Sequence, residues 1–286
     1  MLAPMVSRAS AADWTRPPVR RPAVDVMIPT ANRPAALAVT LAGLAAQDDP
    51  AFRVVMSDQS PEPIGDAPAV AAMVRVLRAQ GRPTEIIRHL PHRGMAEQRQ
   101  FLFEKSSAPA VLYLDDDVWL EPGALATMHQ ALDELDCGLV GMAVQGLSYL
   151  DDPRPQEWAP FTTWQKGVEP ESIRRDSPAH ERWMLHNAAN LTHIAAGVDL
   201  PERGWLPYRV AWIGGCVLYR RAALADAGAF EFWDRLPTDH AGEDVVAQWR
   251  VMRRKGGAGI LPSGAVHLEA PTTLTRRRVD APDVID

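Results

Sequence analysis

The chain has 286 residues, 47% hydrophobic and 23% charged, values that allow a sizeable buried core and exclude general disorder. Its formal net charge is −6, so there is no overall cationic footprint for nucleic acid, and no nucleic-acid partner is expected. No apolar run reaches the roughly 18 residues that a membrane-spanning helix needs.

The first residues, 1–22, mix Arg, Ser, Ala and Pro without an apolar stretch, which predicts a flexible N-terminal arm and no secretory leader. A soluble, cytoplasmic protein is the expectation. Val24 to Ile28 reads as a short buried strand, stopped by Pro29 and the turn-prone Thr30-Ala31-Asn32. Pro34 suits the first turn of a helix, in which Leu37, Leu41 and Leu44 share one face. The unit repeats, with a strand over Phe52 to Ser57, a helix face of Val70, Met73, Val74 and Leu77, and a strand over Glu85 to Leu90. A helix from Met95 to Lys105 leads to the apolar strand Val111 to Leu114, and Leu125, Met128 and Leu132 mark a further helix before a strand at Leu139 to Val144. Strands alternating with helices predict an α/β fold with a Rossmann-like, mostly parallel sheet, in which ligands bind at the carboxyl ends of the strands.

Residues 145–209 lose periodicity and are rich in Pro, Trp, His and Asn, which predicts an irregular insertion, ordered by Trp158, Trp164, Trp183 and Trp205. Val210 to Tyr219 then reads as a strand containing Gly214-Gly215, and Glu243 to Lys255 as a helix. Cys137 and Cys216 sit in separate apolar runs and read as buried reduced thiols, and no Cys or His spacing suggests structural zinc.

The strongest chemical signal is Asp115-Asp116-Asp117 at the end of an apolar strand, because three adjacent carboxylates are costly unless a cation sits among them. Asp115 and Asp117 can face one way and offer oxygens to Mg²⁺ or Mn²⁺. Asp58 also ends a strand, where an Asp can accept hydrogen bonds from a ribose or base; it is equally a common turn residue. Glu243-Asp244 opens a helix, an ordinary place for acids. His267 ends a short apolar run, where an imidazole is able to join an oxygen-rich metal site.

Taken in order, these segments resemble the family-2 glycosyltransferases and their GT-A fold. The resemblance rests on Val24 to Arg33, on Arg93-Gly94-Met95-Ala96-Glu97-Gln98-Arg99, on Leu114 to Asp117 as the Asp-x-Asp motif, on Trp212 to Tyr219, on Gly242-Glu243-Asp244 and on His267. It implies a GT-A domain over residues 23–270 with an acceptor-side insertion at 145–209 and a C-terminal tail at 271–286. It also implies a sugar donor in nucleotide-diphosphate form, contacted by Thr30, Asp58, Arg99 and Asp115. Asp117 and His267 become ligands of Mn²⁺ or Mg²⁺, and Asp244 the general base of an inverting transfer. The acceptor is a saccharide, a lipid-linked compound or a small molecule, with peripheral membrane association as one option. His92 stands where the family often has Asn. The rival classes are a nucleotidyltransferase or metal-dependent phosphohydrolase, disfavoured because Pro29 to Arg33 is not glycine-rich, and a non-catalytic nucleotide-sugar binder, which needs no base.

Overall fold

The computed structural model describes residues 14, 15, 17–272 and 277–285. Strand β1 (Val24–Thr30) is buried along its whole length, with Val24, Val26 and Ile28 packed into one core and Met27 into another on the opposite face. A strand buried on both faces needs helices on both sides, and period-two alternation divides its residues between them. On the first side lie α1 (Pro34–Ala45), α2 (Pro68–Ala79) and α4 (Ala124–Leu135), which contribute Leu37, Leu41, Val74, Leu77 and Met128. On the second lie α3 (Met95–Glu104), α6 (Arg221–Asp226) and α7 (Glu243–Lys255), with Leu102, Leu224, Val246 and Val251. Pro34 and Pro68 each stand at a helix start, where a missing N–H costs nothing.

The main sheet has eight strands, in the order β3-β2-β1-β4-β9-β6-β11-β8. These are β2 (Phe52–Asp58), β3 (Thr84–Arg88), β4 (Ala110–Leu114), β6 (Leu139–Gly141), β8 (Leu206–Tyr208), β9 (Cys216–Arg220) and β11 (Gly257–Leu261). β9 runs antiparallel to β4 and β6, and β8 antiparallel to β11; the other neighbours are parallel, so the sheet is mostly parallel as expected. β2 and β4 flank β1 on opposite sides, which opens a crevice beyond the carboxyl ends of β1 and β4. A small second sheet joins β5 (Val118–Leu120), β7 (Gln145–Gly146) and β12 (Ala265–His267). A third pairs β10 (His240–Ala241) with β13 (Val279–Asp280).

Three segments differ from expectation. The strand expected over Val210 to Tyr219 begins at Cys216, because Gly215 takes φ +73° and the Gln248 side chain replaces the ladder by bonding both N–H and C=O of Ile213 at 2.8 Å. The strand expected to reach Val144 stops at Gly141. No element was expected at Gly257–Leu261, which forms β11; Gly259 pairs with Tyr208, whose buried ring lies where a Cβ would stand. The 145–209 stretch is largely irregular, with short 3₁₀ turns and one helix, α5 (Asn190–Ala195). Trp164 and Trp205 are buried in it, whereas Trp183 is exposed. Cys137 and Cys216 are buried and unbridged, and burial pushes their thiols up to about 11 and about 12.

Residues 1–13 and 16 of the arm, and 273–276 and 286 of the tail, lie outside the described residues. Of the rest, Val19 donates its N–H to the Gly81 carbonyl at 2.9 Å, and β13 folds back beside His240. No helix among the described residues is long and apolar enough to cross a membrane.

Gly259→Ala is expected to cost about 1 to 3 kcal/mol, the usual range for overpacking a filled core. Urea unfolding checks this, and a midpoint equal to that of the unsubstituted chain contradicts the close β8–β11 approach.

Candidate active site

Beyond β1 and β4 lies a cleft of about 790 Å³, lined by Thr30, Arg33, Arg99, Asp115, Asp116, Asp117, Asp244 and His267 among others. Six of the seven residues singled out in the sequence therefore meet in one place, although they span positions 30 to 267. The seventh, Asp58, does not line the cleft. It is fully buried at the end of β2, where one oxygen accepts the Ser60 N–H at 2.8 Å and the other accepts Ile64 N–H at 2.9 Å and Arg88 at 2.7 Å. Burial by itself would raise its pKa; these hydrogen bonds outweigh burial and hold it below the ordinary value. Its geometry shapes the loop that carries Gln59, a residue of the cleft wall, and Ser60, whose hydroxyl accepts the Asn32 N–H at 2.9 Å.

The three consecutive aspartates each have a different environment. Asp115 is partly exposed and accepts from Arg99 Nη2 at 3.1 Å. Asp116 is buried, accepts from the Thr30 hydroxyl at 2.6 Å and pairs with Arg33. Burial pushes the Asp116 carboxyl up to about 6 despite the Thr30 and Arg33 contacts. Asp117 pairs with Arg33 Nη1 at 2.7 Å and lies 3.4 Å from His267 Nε2. Burial would raise Asp117; the His267 hydrogen bond and the Arg33 charge prevail and lower it, while the same hydrogen bond raises His267. The β5–β12 register, which sets His267 opposite Val118, creates this meeting, and the Leu268 N–H donates to the Asp117 carbonyl at 2.8 Å. Protein cations thus offset part of the like-charge repulsion that pointed to a metal ion. Arg33 and Arg99 supply positive charge to the triad, and among the described residues no group of three or more His, Cys, Asp or Glu is arranged to hold a metal.

Arg99 forms the centre of the site. Its side chain is 8% exposed, its Nε donates to Glu243 at 2.9 Å and its Nη2 to Asp115, and its guanidinium stands 5.5 Å from the Tyr113 ring centroid. Burial would weaken its charge, but Asp115, Glu243 and Asp244 outweigh that and hold it firmly protonated. The pair joins the end of β4 to the start of α7. Gly242, at φ +75°, turns the chain into α7 and places Asp244 in the first turn. A helix start favours an ionised acid. Desolvation and the adjacent Glu243 act the other way and push the Asp244 carboxyl up to about 7. Sequence reasoning missed the parts played by Arg33 and Glu243. Both stand inside the segments that carry the resemblance, Glu243 next to Asp244 and Arg33 three residues after Thr30.

A mostly parallel α/β sheet with clustered carboxylates at its switch-point crevice is the GT-A type of architecture. The chain belongs to glycosyl transferase family 2, whose sequence pattern matches residues 25–192. The S. aureus TarS 1–349 structure in complex with UDP-GlcNAc is similar at 16% identity and a TM-score of 0.57, covering 88% of this chain and 60% of that one. The mannosyltransferase PcManGT from Pyrobaculum calidifontis, in complex with GDP-Man and Mn²⁺, is similar at 18% identity and a TM-score of 0.52, covering 91% of this chain and 61% of that one. The chain therefore spans about three fifths of the length of these structures. No curated protein sequence matches it.

Arg99→Met is expected to destabilise the fold by about 3 to 5 kcal/mol, because two carboxylates lose their buried partner. In a double-mutant cycle Arg99→Met with Glu243→Leu should recover part of that loss. Additive losses in urea unfolding contradict the bridge.

Proposed function

We propose that the chain transfers a sugar from a nucleotide-diphosphate donor to an acceptor hydroxyl, with inversion at the anomeric carbon. The observation that carries this reading is the shared cleft: the Asp115 to Asp117 segment and Asp244 open onto the same cavity, held together through Arg99 and Glu243. The relatives support the donor class, since TarS is described with UDP-GlcNAc and PcManGT with GDP-Man.

Thr30, Arg33 and Asp115 line the side of the cleft at the ends of β1 and β4, where the nucleotide and diphosphate belong in this reading. Asp58 contributes from beneath, by fixing the loop that ends in Gln59 and Ser60. Arg99 orients Asp115 more than it touches the donor. Asp117 and His267 would hold a divalent ion, and one carboxylate with one imidazole, completed by diphosphate oxygens and water, suits Mn²⁺ or Mg²⁺. When bound, the ion supplies charge neutralisation to the departing diphosphate. Arg33 then has to exchange its hold on Asp117 for an anionic oxygen of the donor, a contact that suits a guanidinium.

Asp244 acts as the general base. In its ionised form it takes the proton of the acceptor hydroxyl as that oxygen attacks the face opposite the leaving diphosphate. Because burial and Glu243 raise its pKa, the base form dominates above about pH 7. The transfer rate should then rise with pH, fall about tenfold per unit below that value and level off above it.

Asp244→Asn should leave donor affinity within about threefold while kcat falls about 10² to 10⁴-fold. Near-normal turnover, or a product that keeps the donor's anomeric configuration by ¹H NMR, contradicts the assignment. Asp117→Asn should abolish the metal-dependent part of donor binding. Calorimetric titration of the nucleotide sugar with and without Mn²⁺ checks this, and equal metal enhancement in the variant contradicts it.

A further inference from the structure

The carboxyl end of β2 carries an amide that the hydrogen bonds of the site leave unused. Gln59 is 6% exposed and lines the cleft, yet neither its Oε1 nor its Nε2 has a hydrogen-bond partner among the described residues. Its neighbours at the ends of β1 and β2 are engaged. The Thr30 hydroxyl donates to Asp116 at 2.6 Å, and the Ser57 hydroxyl accepts from Gln98 Nε2 at 3.2 Å. The Ser60 hydroxyl accepts the Asn32 N–H and bonds to the Asp58 carboxylate, whose two oxygens are also taken by the Ser60 N–H, the Ile64 N–H and Arg88. Among the described buried polar residues of the cleft wall, Gln59 is thus the one whose side chain makes no hydrogen bond.

The backbone of Gln59 is held in place. Its N–H donates to the Thr30 carbonyl at 3.0 Å, which ties the end of β2 to the end of β1. Burying an amide with both its donor and its acceptor unused is unfavourable, and the cleft it lines is where a ligand can satisfy them. A flexible side chain of this kind reaches the cavity by a change of rotamer. Pro29, Ala31 and Met95 give the same cavity apolar atoms against which a flat ring can pack.

We infer that Gln59, and not Asp58, selects the nucleobase of the donor, by pairing its carboxamide with the hydrogen-bonding edge of the base. This rests on the transferase reading and deepens its donor side. The carboxamide offers one donor and one acceptor side by side, so it takes a base edge on which an acceptor stands next to a donor. The Asp58 carboxylate is an acceptor alone, and it cannot serve that edge without releasing the loop that it holds.

Calorimetric titration with the diphosphates of uridine, guanosine, adenosine and cytidine, in the presence of Mg²⁺, tests this without an acceptor. Ratios of affinity between bases cancel what the diphosphate and the ion contribute. The unsubstituted protein should bind its best base at least about tenfold more tightly than its worst, and Gln59→Leu should bring all four to within about threefold of one another. Gln59→Glu should move the ratios toward guanosine diphosphate by at least about tenfold, because guanine is the one base of the four that presents two adjacent donors, at N1 and the 2-amino group, to a carboxylate. Without nucleotide, Gln59→Leu should unfold at the same temperature as the unsubstituted protein or above it, since an apolar side chain of similar size leaves no buried amide unsatisfied. A lowered midpoint makes the amide a support of its loop. That result, equal affinities in the unsubstituted protein, or unchanged ratios in the Leu variant overturns the inference while leaving the transferase reading intact. If none of the four diphosphates binds the unsubstituted protein, the inference falls together with that reading.

Discussion

A guanidinium buried at Arg99 can remain only where carboxylates surround it, and that requirement organises the rest of the molecule. One partner, Asp115, follows β4, and the other, Glu243, opens α7, so the pair joins a central strand to a helix more than a hundred residues away. Neither acid has comparable freedom once the arginine is in place. Because Asp244 is the next residue along α7, its position relative to the aspartate triad is inherited from the same contact. The Tyr113 hydroxyl, which donates to the Arg99 carbonyl at 2.7 Å, secures the arginine's own backbone.

The acidic triad depends on similar compensation from outside the strand that carries it. Thr30, the last residue of β1, engages Asp116, and Arg33, on the loop that follows, engages Asp116 and Asp117, while His267 reaches Asp117 from β12. Three neighbouring carboxylates are thereby kept in different states. Asp117 is lowered, Asp116 is raised to about 6, and Asp115 is left partly open to the cleft. In the proposed reaction a donor diphosphate entering beside them would meet Arg33, which is able to trade one anion for another. Residue placement thus gives the aspartate-triad side and the Asp244 side of the cleft distinct electrostatics.

Much of this was legible in the sequence because it depends on local patterns. Period-two burial in Val24 to Ile28, the helix faces of α1 and α2, and the helix starting at Glu243 are all set by spacing, and each formed close to where expected. Six candidate residues also converged, because each lies just after a strand or at a helix start in a fold whose switch point gathers such positions. What the sequence hid was long-range pairing. Asp58 looked like a ligand-facing acid, and its engagement by Ser60, Ile64 and Arg88 depends on a loop conformation that spacing does not encode. Gly259 hid a strand because its role is to admit the Tyr208 ring. The Trp residues of 145–209 largely pack the insertion, whereas the aromatic side chains beside Asp244 come from three separate segments, at His180, Trp212 and Trp249.

Cleavage of the bond between a sugar and a nucleoside diphosphate in this cleft is the step on which the proposed function stands. The most direct measurement is ³¹P NMR of a panel of nucleotide sugars, incubated with the protein and Mg²⁺ or Mn²⁺, with and without candidate acceptors. The two linked diphosphate signals of one donor should be replaced by those of the free nucleoside diphosphate. Release of nucleoside monophosphate or pyrophosphate in place of the diphosphate would contradict it, and would move the chain to phosphodiester or nucleotidyl chemistry.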